Sequence, residues 1–242
     1  MAALNFIQGT AVNDGSVIAP TIAFGSSTTG GSLLLAWMGT NGAPGAVPTD
    51  TLGNIWNLVG TSTASAFSSS ISLYYVKSNK VGGGANTVTL HSPGGGIVVV
   101  GVAEFTLQSL NPFDNFSVTD IPATSGGLTT FSVVPLSETN EEVISVQQTF
   151  NPANGNTTAS SAVTPGTGFS PGVGATSGSS MIYGPFASGN QTPSATISNV
   201  GLTWLNIGAS FFSTSSVGAN NSFVQGFRSF ANKRGMTARK KI

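Results

Sequence analysis

Residues 202–212 read Leu-Thr-Trp-Leu-Asn-Ile-Gly-Ala-Ser-Phe-Phe, and this stretch indicates the fold class. Successive side chains of a β-strand point to opposite faces, so odd and even positions separate. One face then holds Thr203, Leu205, Ile207, Ala209 and Phe211, and the other holds Trp204, Asn206, Gly208 and Ser210. The stretch therefore predicts a strand with one face in a core and one wetter face.

A second stretch, residues 97–107, reads Ile-Val-Val-Val-Gly-Val-Ala-Glu-Phe-Thr-Leu. Both of its faces are apolar, which predicts a central strand covered on both sides. Glu104 interrupts it, and a buried carboxylate must find hydrogen-bond donors or shift its pKa. We favour a structural acceptor for loop N–H groups over a catalytic acid.

The remaining apolar and β-branched runs are short and separated by Gly, Pro, Ser and Asn clusters, as in sandwich strands and turns. They cover residues 16–24, 32–38, 54–59, 70–77, 86–91, 128–134, 142–150, 179–186 and 194–197. No window sustains a capped helical period. We predict an all-β fold, a jelly-roll-like sandwich of two antiparallel sheets over residues 1–216, with a basic tail over 217–242. No internal repeat or linker is visible, and residues 151–178 are predicted to form a long surface loop.

Charge is scarce and unevenly placed. Only 7% of the residues are charged, against about 25% in ordinary soluble domains. Residues 1–227 hold two basic and all eight acidic residues, whereas residues 228–242 hold the other six basic ones. A neutral hydroxyl and amide surface is easier to desolvate than a charged one, which favours packing into a homo-oligomer or larger assembly. An acidic body with a basic tail indicates two parts with different roles.

The tail is the predicted partner-binding site. Phe223, Phe227 and Phe230 follow an i, i+4, i+7 spacing and would share one face of a helix. Arg228, Lys233 and Arg234 would lie mostly to the sides of that face. Three interpretations stay open: docking into a groove of a partner protein, phosphate-mediated nucleic-acid binding, and a disordered solubilising end. We favour the first, because no aromatic–basic interleaving supports base recognition.

The sequence offers little support for a catalytic or metal-binding site. The chain has no Cys and a single histidine, His91, without a nucleophile-elbow motif. Asp50, Asp114 and Asp120 stand in turn-like contexts, where Asp commonly bonds its own backbone. Glu141 and Glu142 are adjacent, so on a strand they point to opposite faces. We predict no enzyme, no cofactor and no metal, with calcium at these loops and an aromatic sugar platform as weaker alternatives. The candidates for the platform are Trp37, Trp56, Trp204, Tyr74, Tyr75 and Tyr183, of which Trp56, near a turn, is the least committed to core packing.

Several segments occur in an order that resembles a known module. They are residues 31–37, 50–56, 73–77 with 84–89, 102–105 with 111–114, and then 142–146, 164–169 and 204–211. Together they resemble a β-sandwich, jelly-roll-like module of phage virion proteins and bacterial surface proteins, over roughly residues 15–213. The resemblance implies an adhesive or structural role and brings no catalytic residues.

The expected function is therefore a non-enzymatic virion structural protein, such as a capsid decoration or cement protein. Its partners would be other virion proteins of the shell or tail. The alternative is a receptor- or glycan-binding module of a phage tail fibre or bacterial adhesin. The first residues lack a signal-peptide pattern and no apolar stretch is long enough for a membrane helix, so we expect synthesis in the host cytoplasm and no membrane partner.

Overall fold

A computed structural model describes most of the chain. The described residues are 4–15, 17–64, 68–77, 79–80, 85–93, 98–106, 111–121, 127–137, 141–151, 163–173, 178–186, 189–197 and 201–212. The tail residues Phe223, Phe227, Arg228, Phe230, Lys233 and Arg234 lie outside them. Helices are absent from these ranges, so they contain no helical segment suited to cross a membrane.

Sixteen strands make up the described fold, and the predicted all-β class is confirmed. They are β1 (Phe6–Asn13), β2 (Thr21–Ser27), β3 (Leu33–Asn41), β4 (Ala46–Asp50), β5 (Trp56–Thr63), β6 (Ser69–Val76), β7 (Ala85–His91), β8 (Val98–Phe105), β9 (Phe113–Ile121), β10 (Gly127–Thr130), β11 (Glu141–Phe150), β12 (Val163–Pro165), β13 (Ser170–Val173), β14 (Ser179–Phe186), β15 (Ser194–Ile197) and β16 (Thr203–Phe212).

These strands form four sheets where two were expected. Sheet 1 has the order β1-β8-β3-β6-β5, and sheet 2 has the order β2-β7-β4. Sheet 3 has the order β9-β16-β11-β14-β13, and sheet 4 has the order β10-β15-β12. Every pairing between named strands is antiparallel.

Each half of the chain is wound as a jelly roll. In the first half β1 pairs with β8, β2 with β7 and β3 with β6, as when a long antiparallel ribbon is wrapped on itself. Adding eight to each strand number turns the order of sheet 1 into that of sheet 3, and the order of sheet 2 into that of sheet 4. The fold is therefore an internal repeat of one eight-stranded topology.

The four sheets stack as layers in the order 2, 1, 3, 4. Between sheets 1 and 2 lies an apolar core that includes Phe24, Met38, Trp56, Leu90 and Val100. Sheets 1 and 3 share a larger core to which both halves contribute; it includes Leu33, Trp37, Phe105, Ile144, Phe150, Leu205 and Phe211. Residues of β8 contribute to both cores, which confirms the predicted central strand covered on both sides.

The face of sheet 3 that points away from sheet 1 is different, because many of its buried side chains are polar and its apolar cluster around Leu202 and Trp204 is small. Asn206 Nδ2 donates to Ser145 Oγ at 2.6 Å, and Gln147 Nε2 donates to the same oxygen at 2.9 Å. Ser180 Oγ donates to Gln147 Oε1 at 2.7 Å. The prediction that this face of β16 is the wetter one is therefore wrong in one respect. Trp204, Asn206 and Ser210 carry polar atoms, but all three side chains are fully buried.

The segment predicted as a long loop also differs. Within residues 151–178, the described part contains β12 and β13, which join the edges of sheets 4 and 3. Both strands are short, and their Gly and Pro residues mask the alternating pattern that identifies a strand.

Candidate functional site

The turn between β4 and β5 is organised by one carboxylate. Asp50 Oδ1 accepts hydrogen bonds from the backbone N–H groups of Leu52 at 3.1 Å and Asn54 at 3.0 Å. Asp50 Oδ2 accepts from Asn54 Nδ2 at 2.8 Å and from Trp56 Nε1 at 3.1 Å. The predicted backbone-bonding role of Asp50 is confirmed, and Gly53 supplies the positive φ of 67° that the tight turn requires.

A second set of hydrogen bonds ties this turn to the segment after β6. Asn54 Nδ2 donates to Asn79 Oδ1 at 3.0 Å, and the backbone N–H of Lys80 donates to Asn54 Oδ1 at 2.9 Å. The Lys80 ammonium donates to the Gly53 carbonyl. Asn79 Nδ2 in turn donates to the Thr29 carbonyl at 3.0 Å. These contacts hold two loops in one fixed arrangement.

Glu104 completes the same network from the end of β8. Its Oε1 accepts a hydrogen bond from the backbone N–H of Thr29 at 2.6 Å, and its Oε2 accepts one from Gln8 Nε2 at 2.7 Å. The prediction of a structural acceptor for loop N–H groups is confirmed. The side chain is fully buried, so it lies away from any solvent-filled site.

An open cleft lies beside these loops. It has a volume of about 390 Å³ and is lined by Asn54, Ile55, Asn57, Val76, Lys77 and Lys80. Lys77 Nζ donates to Asn111 Oδ1 at 3.2 Å. Lys77 and Lys80 are the only Lys or Arg residues in the described part of the chain, which also holds seven carboxylates. The cleft is therefore the one place in that part where lysine charge is concentrated.

The cleft was not predicted from the sequence. A signal was present, since the only two basic residues before residue 228 are three positions apart and follow a strand. The pairing of that segment with the Asp50–Trp56 turn could not be deduced, because it depends on how β4 and β5 pass from sheet 2 to sheet 1.

The predicted aromatic sugar platform is not formed by the residues suggested for it. Trp56 is 5% exposed, and its indole is used by Asp50. Trp37 and Trp204 are buried, and Trp37 Nε1 donates to Ser179 Oγ at 2.6 Å. The tyrosines likewise belong to packed cores: Tyr74 and Tyr75 are buried, and Tyr183 is half-buried.

The other predicted polar positions have structural partners. Asp114 and Asp120 lie in strand β9 and not in turns, which corrects their predicted context. Asp114 accepts hydrogen bonds from Ser137 Oγ at 2.6 Å and Ser210 Oγ at 3.2 Å. His91 Nε2 lies 3.5 Å from Thr49 Oγ1 at the end of β7. Among the described residues, no three His, Cys, Asp or Glu side chains are grouped as a metal site would need.

The two adjacent glutamates on β11 point to opposite faces, as predicted. Ile144 and Val146 face the core between sheets 1 and 3, so the alternation places Glu142 on that side and Glu141 on the other. Burial raises the pKa of Glu142 to about 8. Burial, together with the charge of Glu142 once it is ionised, raises the pKa of Tyr183. The pair cannot act jointly on one substrate.

Comparison with known proteins assigns no family. No protein-family model matches the chain, and no curated protein is similar to it in sequence. The resemblance to phage and bacterial surface modules thus stays a prediction, while the sandwich-like fold with antiparallel sheets that it implied is present.

Proposed function

We propose that the chain is a non-enzymatic structural protein of a virus particle, in the class of capsid decoration or cement proteins. The observation that carries the proposal is the tandem jelly roll, in which one strand order occurs twice and the two copies share a core. Jelly rolls recur in viral capsid proteins and lectins. Because a fold alone does not define a function, the proposal also depends on surface chemistry.

Low charge supports the same proposal. With 7% charged residues, most of the polar surface consists of hydroxyl and amide groups, which lose less hydration energy on permanent packing. Several large apolar side chains are also exposed in the described part, including Ile18, Val47, Leu58 and Phe116. A homo-oligomer or lattice would cover such residues.

The C-terminal tail is the proposed anchor to the shell. It holds six of the eight basic residues, and the phenylalanines Phe223, Phe227 and Phe230 would provide apolar contacts. The partner surface would be acidic with an apolar groove.

Co-sedimentation of the full chain with particles from its source tests this proposal. Replacing Phe223, Phe227 and Phe230 with Ser should abolish binding, whereas Asp14→Asn on the body should not. Unchanged binding of the triple variant would contradict the anchoring role. Failure of the unaltered chain to bind any particle would contradict the structural role itself.

A second proposal, saccharide binding, is favoured by the open cleft lined by Lys77, Lys80 and Asn57. Pockets of this size hold small ligands with a few converging polar groups. A glycan array probed with the full chain tests it, and the expected result is a set of hits lost on changing Lys77. An array without hits at several ionic strengths would contradict this proposal and leave the structural one standing.

A further inference from the structure

The two halves of the repeat differ where the fourth strand of each passes to the fifth. In both halves this turn contains a glycine with positive φ, Gly53 at 67° and Gly168 at 86°. In the second half, Phe169 packs against Phe186 with ring centroids 5.1 Å apart. In the first half the corresponding region contains the cleft. The lining of the cleft, in contrast, contains no aromatic side chain.

The cleft offers hydrogen-bond donors of positive charge. An ammonium group has three N–H donors, and the described contacts use one on Lys77 and one on Lys80. The nearby Asp50 carboxylate does not compete for them, because it already accepts five hydrogen bonds, the fifth from Asn86 Nδ2 at 3.2 Å. An anionic group in the cleft would thus meet two cations and no free carboxylate among the lining residues.

The remaining lining suits a ring that carries hydroxyls. Ile55 is 78% exposed and forms an aliphatic wall, and the buried Val76 lines the cleft beside it. Asn57 uses its amide nitrogen for the carbonyls of Ile55 at 3.3 Å and Tyr75 at 3.5 Å, which leaves Oδ1 as an acceptor. A sugar ring presents hydroxyl donors at its rim and C–H groups on its faces, so it matches both surfaces.

The arrangement is set before a ligand binds. The Asp50 network fixes the backbone from Leu52 to Trp56, and Asn54 and Asn79 join it to the segment that carries Lys80. Pre-organisation lowers the entropic cost of binding, which matters for a weak, polar ligand.

We propose that this cleft binds a carboxylate-bearing sugar residue, such as a uronic acid unit of an acidic polysaccharide. The carboxylate lies between the ammonium groups of Lys77 and Lys80, a hydroxyl donates to Asn57, and the ring lies against Ile55. A protein carboxylate would use the same cations, so an acidic peptide is included among the probes below. The inference rests on the saccharide-binding proposal and is independent of shell assembly.

Titration calorimetry of the full chain with three probes tests the inference. The probes are a short oligogalacturonate, a neutral galactose oligomer of equal length, and an oligoglutamate peptide. We expect only the oligogalacturonate to bind, and to bind more weakly as salt is added, because the contact is partly ionic. Lys77→Gln and Ile55→Ser should each weaken that binding by about tenfold or more, as expected for loss of one charged or apolar contact.

Ile18→Ser is the matched control, because Ile18 is also highly exposed, at 67%, and does not line the cleft. Circular dichroism of all variants checks that the fold is retained. Equal binding by the neutral oligomer would overturn the acidic class while keeping saccharide binding. Binding of oligoglutamate alone would assign the cleft to an acidic protein segment, and no binding by any probe would overturn both proposals for the cleft.

Discussion

Glu142 lies in the core shared by sheets 1 and 3, and neither of its carboxylate oxygens has a hydrogen-bond partner among the described residues. Its neighbours in register are Pro185 and Phe211, whose side chains carry no hydrogen-bond donor. Glu104 is equally buried but accepts two hydrogen bonds. The contrast shows two ways in which the fold tolerates a buried carboxyl group. Neighbouring residues donate hydrogen bonds to it, as for Glu104, or the group stays protonated and neutral, as for Glu142.

The raised pKa of Glu142 predicts a stability that depends on pH. Between its ordinary value of 4.5 and about 8, the folded chain keeps the Glu142 proton and the unfolded chain loses it. The contribution of this group is therefore complete below pH 4.5, decreases as pH rises and is lost above about pH 8. The total change is on the order of 5 kcal/mol. Glu142→Gln should remove it, so the variant should exceed the parent in stability at pH 9 more than at pH 5.

Urea unfolding at both pH values measures this difference. Asp14→Asn serves as the control, because it removes one carboxylate outside the shared core. An equal change of stability with pH in the parent and in Glu142→Gln would contradict the assignment.

The roles of some side chains could be predicted from the sequence, and those of others could not. The role of Glu104 could be predicted, because an acid inside an apolar strand has few alternatives to structural hydrogen bonding. The environment of Trp56 could not, since nothing local shows that a carboxylate six positions earlier accepts its indole proton. Individual positions near turns depend on loop geometry, which the pattern of apolar residues does not encode.

Among the strands, β3 and β8 pack closely because a glycine of β8 lies beside a tryptophan of β3. Trp37 and Gly101 are partners in register, and a Cβ built on Gly101 would lie 2.1 Å from Trp37 Cζ2. Because Gly101 has no side chain, the Trp37 indole fits against it. The indole Nε1 donates a hydrogen bond to Ser179 Oγ in sheet 3. A glycine in the middle of a buried strand, normally unfavourable, is here required by the close approach of a neighbour.

Gly101→Ala should therefore destabilise the fold, by about 1–3 kcal/mol or more, because an added methyl group forces the indole out of its position. Gly25→Ala in β2 is the control, since its Cβ would meet only Gln8 Oε1 at 3.7 Å. Chemical denaturation of both variants measures the effect. Equal stabilities of the two variants would contradict the packing argument.

The packing of a strand determines whether its sequence pattern reveals it. β8 and β16 are long and apolar on at least one face, so their existence was evident. β9 (Phe113–Ile121) escaped prediction because it is an edge strand whose side chains are only half-buried and mainly polar. Edge strands need fewer apolar residues, so their patterns are weak.

At the scale of the whole molecule, the two jelly rolls are joined by a core to which both contribute. Leu33, Trp37 and Phe105 from the first half meet Ile144, Leu205 and Phe211 from the second. The repeat was not detectable in the sequence, because equivalent turns such as 50–56 and 165–169 share little beyond one glycine. The strand order is the same in both halves although the side chains at equivalent turns differ.

The shared core predicts that both halves unfold together. In differential scanning calorimetry the chain should give a single transition with equal calorimetric and van't Hoff enthalpies. Leu35→Ala and Ile207→Ala, one from each half, should lower the same transition temperature. Two separable transitions, each sensitive to only one substitution, would contradict this expectation.

Joining both jelly rolls in one chain also changes how their contact responds to dilution. Two separate subunits would dissociate at low concentration, whereas covalent connection gives each half a high effective concentration of the other. The contact between sheets 1 and 3 therefore persists at any dilution. Covalent connection also removes the requirement of a symmetric homodimer that both surfaces be identical. A recess that is present in one half therefore need not be present in the other.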